Sequence, residues 1–130
     1  MRVDAMRASW RTLLLAVLTV VSVGAGAAES VAVTQPLVID VRTPEEFAEN
    51  HLINAKNIDV KSANFSEQVA KLDKNLSYRL YCHSGKRAAQ AAELMQQLGF
   101  KDVKSVGGLQ DAAKTLHQAC VDQAACELSQ

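Results

Sequence analysis

The chain has 130 residues, and its 14 basic and 14 acidic side chains give a formal net charge of zero. This length indicates one domain, and six glycines and two prolines are too few to indicate a linker between two. No basic block interleaved with aromatic residues is present, which argues against nucleic acid as a partner.

The first 27 residues have the layout of a secretory signal peptide. Arg7 and Arg11 precede an apolar run at residues 13–23, and small residues follow at 24–28. A run of 11 residues is too short to cross a bilayer, which needs roughly 20. The pattern therefore predicts a cleaved signal peptide over residues 1–27, not a membrane span.

The small residues place the predicted cleavage site before Ala28, with a cut one residue later as the alternative. The acidic Asp4 in the otherwise basic leader leaves Met1 and Met6 as alternative starts. Cleavage leaves a domain of residues 28–130 with 11 basic residues, 13 acidic residues and a net charge of −2. We expect this domain to be periplasmic or secreted, without a stable membrane anchor.

Downstream of the leader, short apolar runs alternate with helical patterns. Leu37-Val38-Ile39 predicts a strand buried on both faces, and Thr43-Pro44-Glu45-Glu46 predicts a capping box at the start of a helix that ends near Asn50. The later predicted elements are a turn at 51–54, a strand at 56–58, a helix at 65–72, a strand at 76–81, a helix from Arg87, a strand at 103–106, a tight turn at Gly107-Gly108 and a helix from 109 to about 119. The helix from Arg87 has Gly99 as its predicted C-cap, and its apolar face is formed by Ala91, Leu94, Met95 and Leu98. This alternation predicts an α/β fold with a central parallel sheet of about five strands and helices on both faces.

The three cysteines separate into a pair and a single residue. Cys120 and Cys126 are close in sequence, and an oxidising compartment favours their pairing. We expect a disulfide between them that ties the C-terminal segment 119–130. Cys82 is then the unpaired thiol.

Cys82 stands where a strand ends and a helix begins. The loop reads Cys82-His83-Ser84-Gly85-Lys86-Arg87. In open parallel sheets the ligand site lies at the carboxyl ends of the strands, where backbone amides of a turn can surround an anion. These amides, the helix dipole and the two adjacent cations favour the thiolate form of Cys82, so we interpret it as a nucleophile.

The spacing in the loop indicates which chemistry it serves. A phosphatase loop of the Cys-x5-Arg type wraps a tetrahedral phosphate, but only four residues separate Cys82 from Arg87. The smaller cradle suits one additional sulfur atom, held on the cysteine as a persulfide.

With these features the sequence resembles the single-domain rhodaneses, in particular the small exported members of the family. The residues that carry the resemblance are the stretch from Leu37 to Phe47, its continuation from His51 to Ile58, the loop from Cys82 to Arg87, and the downstream Gly99-Phe100, Val103 and Gly107-Gly108-Leu109. The resemblance covers roughly residues 35–113. It implies the rhodanese-like fold.

The resemblance also implies a thiosulfate sulfurtransferase. In such an enzyme the Cys82 thiolate takes the outer sulfur of thiosulfate, and the resulting persulfide passes its sulfur to cyanide or a thiol, with no metal or organic cofactor. Lys86 and Arg87 are candidates to steer the dianion, while His83 and Ser84 are interpreted as backbone donors. Asp40 and Arg42 are interpreted as scaffold near the site.

Two other functions are compatible with these residues. One is a carrier that receives a persulfide from a partner protein and passes it on with little turnover of free thiosulfate. The other is thiol-disulfide exchange by Cys120 and Cys126, although their spacing differs from the Cys-x-x-Cys pattern of such enzymes. The sulfurtransferase is the leading hypothesis.

Overall fold

The structure is a computed structural model that describes residues 34–128. The predicted signal peptide, its cleavage site and the choice between Met1 and Met6 lie outside these residues. Within the described range, none of the helices is long and apolar enough to span a membrane.

Four strands form one parallel sheet. They are β1 (Leu37–Asp40), β2 (Ala55–Asn57), β3 (Ser77–Cys82) and β4 (Asp102–Gly108), in the order β2-β1-β3-β4. Each neighbouring pair is parallel. The predicted parallel sheet is confirmed, although the described residues form four strands where about five were expected.

Five helices connect and follow the strands. They are α1 (Pro44–Glu49), α2 (Phe65–Ala70), α3 (Lys86–Gln97), α4 (Leu109–Leu116) and α5 (Gln123–Leu128). The predicted capping box is confirmed, because Glu46 N–H donates to the Thr43 hydroxyl at 3.3 Å and Thr43 N–H donates to the Glu46 carboxylate at 3.0 Å. The predicted C-cap is also confirmed, since Gly99 has φ +94°.

The sheet separates two hydrophobic clusters, which confirms that helices cover both faces. On one face, side chains of α2 and α3 such as Val69 and Met95 pack with Ile39 and Leu80. On the other face, Ala112 of α4 packs with side chains from the sheet and the chain end. Burial of these apolar surfaces is the main stabilising contribution to the fold.

Two boundaries and the exposure of one side chain differ from the prediction. β4 runs through Gly108, where a turn was expected, because Gly108 pairs with Cys82 across the sheet. Leu94 is 40% exposed because the buried face of α3 is centred on its small alanines and Met95. The last predicted helix stops at Leu116, since His117 adopts a left-handed conformation with φ +51°.

After α4 the chain forms a segment that was not predicted in detail, and we call residues 119–128 the C-terminal clip. Its first residues run beside the turn between α1 and β2. Ile53 N–H donates to the Ala119 carbonyl at 3.0 Å, and Val121 N–H donates to the His51 carbonyl at 2.8 Å. The clip then ends in α5.

Candidate functional site

Cys82 is the last residue of β3 and is fully buried. The pairing register between β3 and β4 shifts between Leu80 and Cys82. Such irregularities redirect a side chain and are common beside active sites. Among residues 34–128, Cys82 is the cysteine without a sulfur partner.

The sulfur atom of Cys82 is held by the backbone of its own loop. The Gly85 N–H donates to Cys82 Sγ at 2.9 Å. Gly85 has a φ of +89°, a backbone conformation that residues with a side chain rarely adopt. It is the N-cap of α3, which begins at Lys86. The loop therefore presents an amide donor to the sulfur of Cys82, and the thiolate form of this residue stays a prediction.

The side chains of the loop differ in their exposure to solvent. His83, Ser84 and Lys86 are exposed, whereas Arg87 is partly buried. No side-chain contact between His83 or Ser84 and the Cys82 sulfur is recorded in the described part of the chain. Their role as backbone elements stays a prediction.

Two glycines of β4 allow the loop to pack closely against the strand end. A Cβ atom added at Gly108 would overlap the carbonyl oxygen of His83, and one added at Gly85 would lie 3.2 Å from Gly107 Cα. The loop and the end of β4 therefore touch backbone to backbone. The sequence singled out this glycine pair as a turn but missed its contact with the loop.

Arg87 forms a two-point ion pair with Glu46 of α1. Arg87 Nη1 and Nη2 donate to the two carboxylate oxygens at 2.7 and 2.8 Å. The hydrogen bonds from Arg87 are the main reason that the pKa of Glu46 falls to about 2. The pKa of Arg87 is raised, first by Glu46, with a smaller contribution from the negative charge of Cys82. Arg87 thus lies within electrostatic reach of the cysteine while its guanidinium is fixed by Glu46.

Asp40 and Arg42 pair with each other at the carboxyl end of β1. Arg42 Nε and Nη2 donate to the Asp40 carboxylate at distances from 2.7 to 3.1 Å, and Nη2 also donates to the Asn50 carbonyl at 2.5 Å. Burial disfavours the charge of Arg42, but the hydrogen bonds and the negative charge of Asp40, together with smaller contributions from Tyr81 and Glu46, outweigh it and raise the pKa of Arg42. The pair organises the β1–α1 connection, and none of its recorded bonds reaches residues 83–87.

Asn50 links the end of α1 to the C-terminal clip, and the sequence did not predict this contact. Its side-chain amide donates to the Asp122 carbonyl at 3.1 Å and its side-chain oxygen accepts from the Asp122 N–H at 2.9 Å. The two residues are 72 positions apart, so no local pattern signals the contact. Cys120 and Cys126 lie in the same region, buried against Leu52 and Tyr81, with a Cα–Cα distance of 6.2 Å.

The titratable residues that the structure describes do not form a metal site. Among residues 34–128, no group of three or more His, Cys, Asp or Glu side chains is placed to hold a metal ion. His51 is engaged locally, since its Nδ1 lies 2.7 Å from the Phe47 carbonyl and its ring stacks on Phe47 at 3.7 Å. Its side chain is thus engaged within the connection between α1 and β2.

Comparisons with known proteins agree with this geometry. A family model for the rhodanese-like domain matches residues 26–114. The chain is 37% identical over 75 residues to "Thiosulfate sulfurtransferase PspE" of Escherichia coli, covering 58% of this chain and 72% of the relative. It is also 36% identical over 74 residues to the "tRNA sulfurtransferase" of Proteus mirabilis. That alignment covers 55% of this chain and 15% of the relative, which is a much longer protein.

A solved structure shows the same fold. The structure titled "rhodanese with anions from E. coli" has a TM-score of 0.51 and 36% sequence identity, and the alignment covers 57% of this chain and 87% of that one. The match of the family model extends over more than half of the sequence and includes the whole Cys82 loop. The chain belongs to the rhodanese-like domain family.

Proposed function

We propose that the protein is a thiosulfate sulfurtransferase that works through a persulfide on Cys82. The thiolate attacks the outer sulfur of thiosulfate, and sulfite leaves with the electron pair of the broken S–S bond. Cyanide or a thiolate then attacks the outer sulfur of the persulfide, and Cys82 leaves as the thiolate. The two half-reactions need no metal or organic cofactor.

One observation carries the proposal, namely the Gly85 N–H at 2.9 Å from the sulfur of a buried cysteine. A thiolate or persulfide in an apolar cluster is costly unless a donor compensates its charge, and this amide supplies one without side-chain motion. Because Cys82 is fully buried, a small sulfur donor is favoured over a bulky one. Thiosulfate meets this requirement.

The charges around the loop support a dianionic donor. Lys86 is exposed at the first residue of α3, and it makes no ion pair with any residue from 34 to 128. It is therefore available to attract thiosulfate, whereas Arg87 is neutralised by Glu46. The relative named thiosulfate sulfurtransferase, aligned over 72% of its length, supports the same substrate.

Export to the periplasm or beyond the cell is part of the proposal. It is supported by the basic and apolar leader at residues 1–27 and by the position of Cys120 beside Cys126 in the clip. An oxidising compartment joins these two thiols as a disulfide and leaves Cys82 as the thiol that reacts. Thiol-disulfide exchange by the pair is not favoured, because both residues are buried.

Thiocyanate formation from thiosulfate and cyanide tests the proposed activity. We expect the protein to form thiocyanate and Cys82→Ser, which keeps nearly the same side-chain volume, to form none above background. Circular dichroism of the variant checks that its fold is retained. Equal rates in the two proteins would show that Cys82 does not carry the reaction.

A persulfide carrier is the second candidate, and one observation favours it. The matched region is only 15% of the length of the tRNA sulfurtransferase, so in that relative the domain is a small part of a larger protein. A carrier would be isolated with one extra sulfur atom on Cys82 and would turn over free thiosulfate only negligibly. Intact-protein mass spectrometry combined with the thiocyanate assay distinguishes the two functions.

A further inference from the structure

Asp111 lies in the first turn of α4 and bonds back to the end of β4. Its carboxylate accepts from the N–H of Gly108, the N-cap of α4, at 3.2 Å. It also packs against the preceding residue, because a Cβ atom added at Gly107 would lie 2.8 Å from Asp111 Oδ2. One exposed side chain therefore holds both glycines at the point where the strand becomes a helix.

The two glycines form the surface on which the reactive loop rests. Gly108 is the register partner of Cys82, and a Cβ atom there would overlap the His83 carbonyl oxygen. Gly107 lies against the turn of the loop, since a Cβ atom added at Gly85 would be 3.2 Å from Gly107 Cα. Gly85 in turn donates its N–H to Cys82 Sγ at 2.9 Å. A displacement of the glycine pair is thus transmitted through backbone contacts to the amide that holds the sulfur.

The first turn of α4 is itself fixed on two sides. Ala112, the residue after Asp111, is fully buried in the cluster that includes Tyr81. Gln110, the residue before it, donates from its side-chain nitrogen to the Cys126 carbonyl of the clip at 2.7 Å. The turn that carries Asp111 is therefore anchored both in the core and at the chain end, so its carboxylate constrains the glycines and does not simply follow them.

Asp111 does more than an ordinary helix cap does, because of the residue that it caps. An acidic residue in the first turn of any helix can bond free amides and complement the helix dipole. Here the capped residue is the neighbour of Cys82 in the sheet. Among residues 34–128, no hydrogen bond joins the Asp111 carboxylate to Cys82 or to residues 83–87. It therefore acts on the sulfur through the glycines and is not a catalytic residue.

We propose that Asp111 is a positioning residue for sulfur transfer to Cys82. By holding Gly107 and Gly108, its carboxylate keeps the Gly85 amide on the sulfur in the geometry that the attack on the donor requires. Small displacements of a reacting group slow a reaction strongly, even when the altered residue does not touch the substrate. The effect on the rate rests on the proposed function, whereas the effect on the Gly85 amide does not.

Two variants and one matched control test this role. Asp111→Ala removes the acceptor and the charge, whereas Asp111→Asn removes the charge and keeps an oxygen acceptor for the Gly108 N–H. Any effect of the charge on thiosulfate binding is common to both variants and cancels when they are compared. The control is Asp73→Ala. Asp73 is also exposed and accepts from the Asn75 N–H at 2.8 Å, but it precedes β3 and so lies at the opposite end of this strand from Cys82.

Two quantities are measured in each protein, well below its unfolding temperature. The NMR signal and the hydrogen exchange of the Gly85 amide report its bond to the sulfur, and sulfite release at saturating thiosulfate reports the rate of the first half-reaction. In Asp111→Ala we expect the signal to shift, the exchange to accelerate and the sulfite rate to fall about fivefold, the effect of losing one helix-capping contact. Asp111→Asn and Asp73→Ala should keep both properties of the wild type.

Three results would overturn the inference. The first is an unchanged Gly85 amide or an unchanged sulfite rate in Asp111→Ala. The second is an equal loss in Asp111→Ala and Asp73→Ala, which would indicate an effect on stability only. The third is an equal loss in Asp111→Ala and Asp111→Asn, which would indicate an effect of charge only. A wild type that releases no sulfite overturns the proposed function, and the Gly85 amide alone then decides whether Asp111 holds the loop.

Discussion

Two carboxylate–arginine pairs lie near the reactive loop, and the carboxylate residue of each pair belongs to β1 or α1. Asp40 holds Arg42, and Glu46 holds Arg87 while also capping α1 through Thr43. The second pair connects α1 to the first turn of α3. Glu46 is therefore a positioning residue for Arg87.

Glu46→Gln tests the contribution of this pair to stability. Arg87 lowers the pKa of Glu46 from its ordinary value of 4.5 to about 2, so the stabilisation is fully present above pH 4.5 and is lost as the pH falls towards 2. Since the Glu46 side chain is 32% exposed, solvent screening reduces the effect, and we expect the free energy of unfolding to fall by about 1 kcal/mol at neutral pH. Urea unfolding at several pH values measures it.

The control for this prediction is Glu45→Gln, which removes a neighbouring exposed carboxylate and keeps the ion pair. Its unfolding free energy should match that of the wild type. The difference between the wild type and Glu46→Gln should also vanish near pH 2. A difference that stays constant between neutral pH and pH 2 would contradict the role of the pair.

At the residue scale, the sequence was informative where the physical signal is local. The capping box from Thr43 to Glu46 spans four residues, and the reactive loop from Cys82 to Arg87 spans six, so both could be predicted. The pairing of Glu46 with Arg87 bridges 41 positions. A surface carboxylate has no sequence feature that names such a distant partner.

At the element scale, the strand–loop–helix unit of β3 and α3 depends on the glycine pair at the end of β4. Gly108 lies against the His83 carbonyl, and Gly107 lies against the turn at Gly85. A side chain at Gly108 would require movement of the loop, whereas one at Gly107 would overlap the side chain of Asp111 in α4. The loop geometry is thus set partly by an element that follows it in the chain.

Gly108→Ala should displace the loop and slow sulfur transfer. The added Cβ overlaps the His83 carbonyl oxygen, so the loop must move, and we expect kcat/KM with thiosulfate to fall by about tenfold or more. The matched control is Gly99→Ala, where the φ of +94° strains the backbone but the nearest side-chain atom, of Lys74, lies 3.9 Å away. This control should lose stability and keep its kcat/KM. The opposite pattern, with Gly108→Ala fully active, would contradict the account.

The elements themselves were predictable to the extent that their pattern is periodic. The apolar spacing along α3 gave the helix and its C-cap at Gly99. It wrongly placed Leu94 on the buried face of α3. The close contacts of this helix with the sheet are made by alanines, which contribute little to a hydrophobic pattern. Helix α5 was missed since its six residues show no periodic apolar face.

At the scale of the whole molecule, the C-terminal clip links the chain end to the middle of the fold. It bonds to His51 and Ile53 and, through Asp122, to Asn50, whose carbonyl accepts from Arg42. The clip begins beyond residue 114, where the match to the family model ends. It therefore supports the site region from outside the matched domain.

The proposed disulfide of the clip should stabilise the fold without taking part in the chemistry. Closing a loop of this length contributes about 2 kcal/mol, so the variant Cys120→Ser with Cys126→Ser should lose about that much unfolding free energy and still acquire sulfur from thiosulfate. A reductant should lower the Tm of the wild type and leave that of the variant unchanged. Rapid alkylation of both thiols in the native, unreduced protein would contradict the disulfide.

The fold as a whole was the most predictable property, because alternating strands and helices permit few arrangements of a parallel sheet. The position of Cys82 at the carboxyl edge followed from that topology. The cavity of about 430 Å³ beside the loop did not, because its walls combine residues that follow β1 and β3 with residues of α1, β4 and α4 that are distant in sequence. Such a surface exists only after the sheet has formed.

The mass of the intact protein after brief exposure to thiosulfate tests the central claim most directly. We predict that the wild type gains the mass of one sulfur atom, that peptide mapping places it on Cys82, and that cyanide removes it with release of thiocyanate. Cys82→Ser treated in the same way should show no gain. A wild type that gains no sulfur, or that gains it on another residue, would contradict the account.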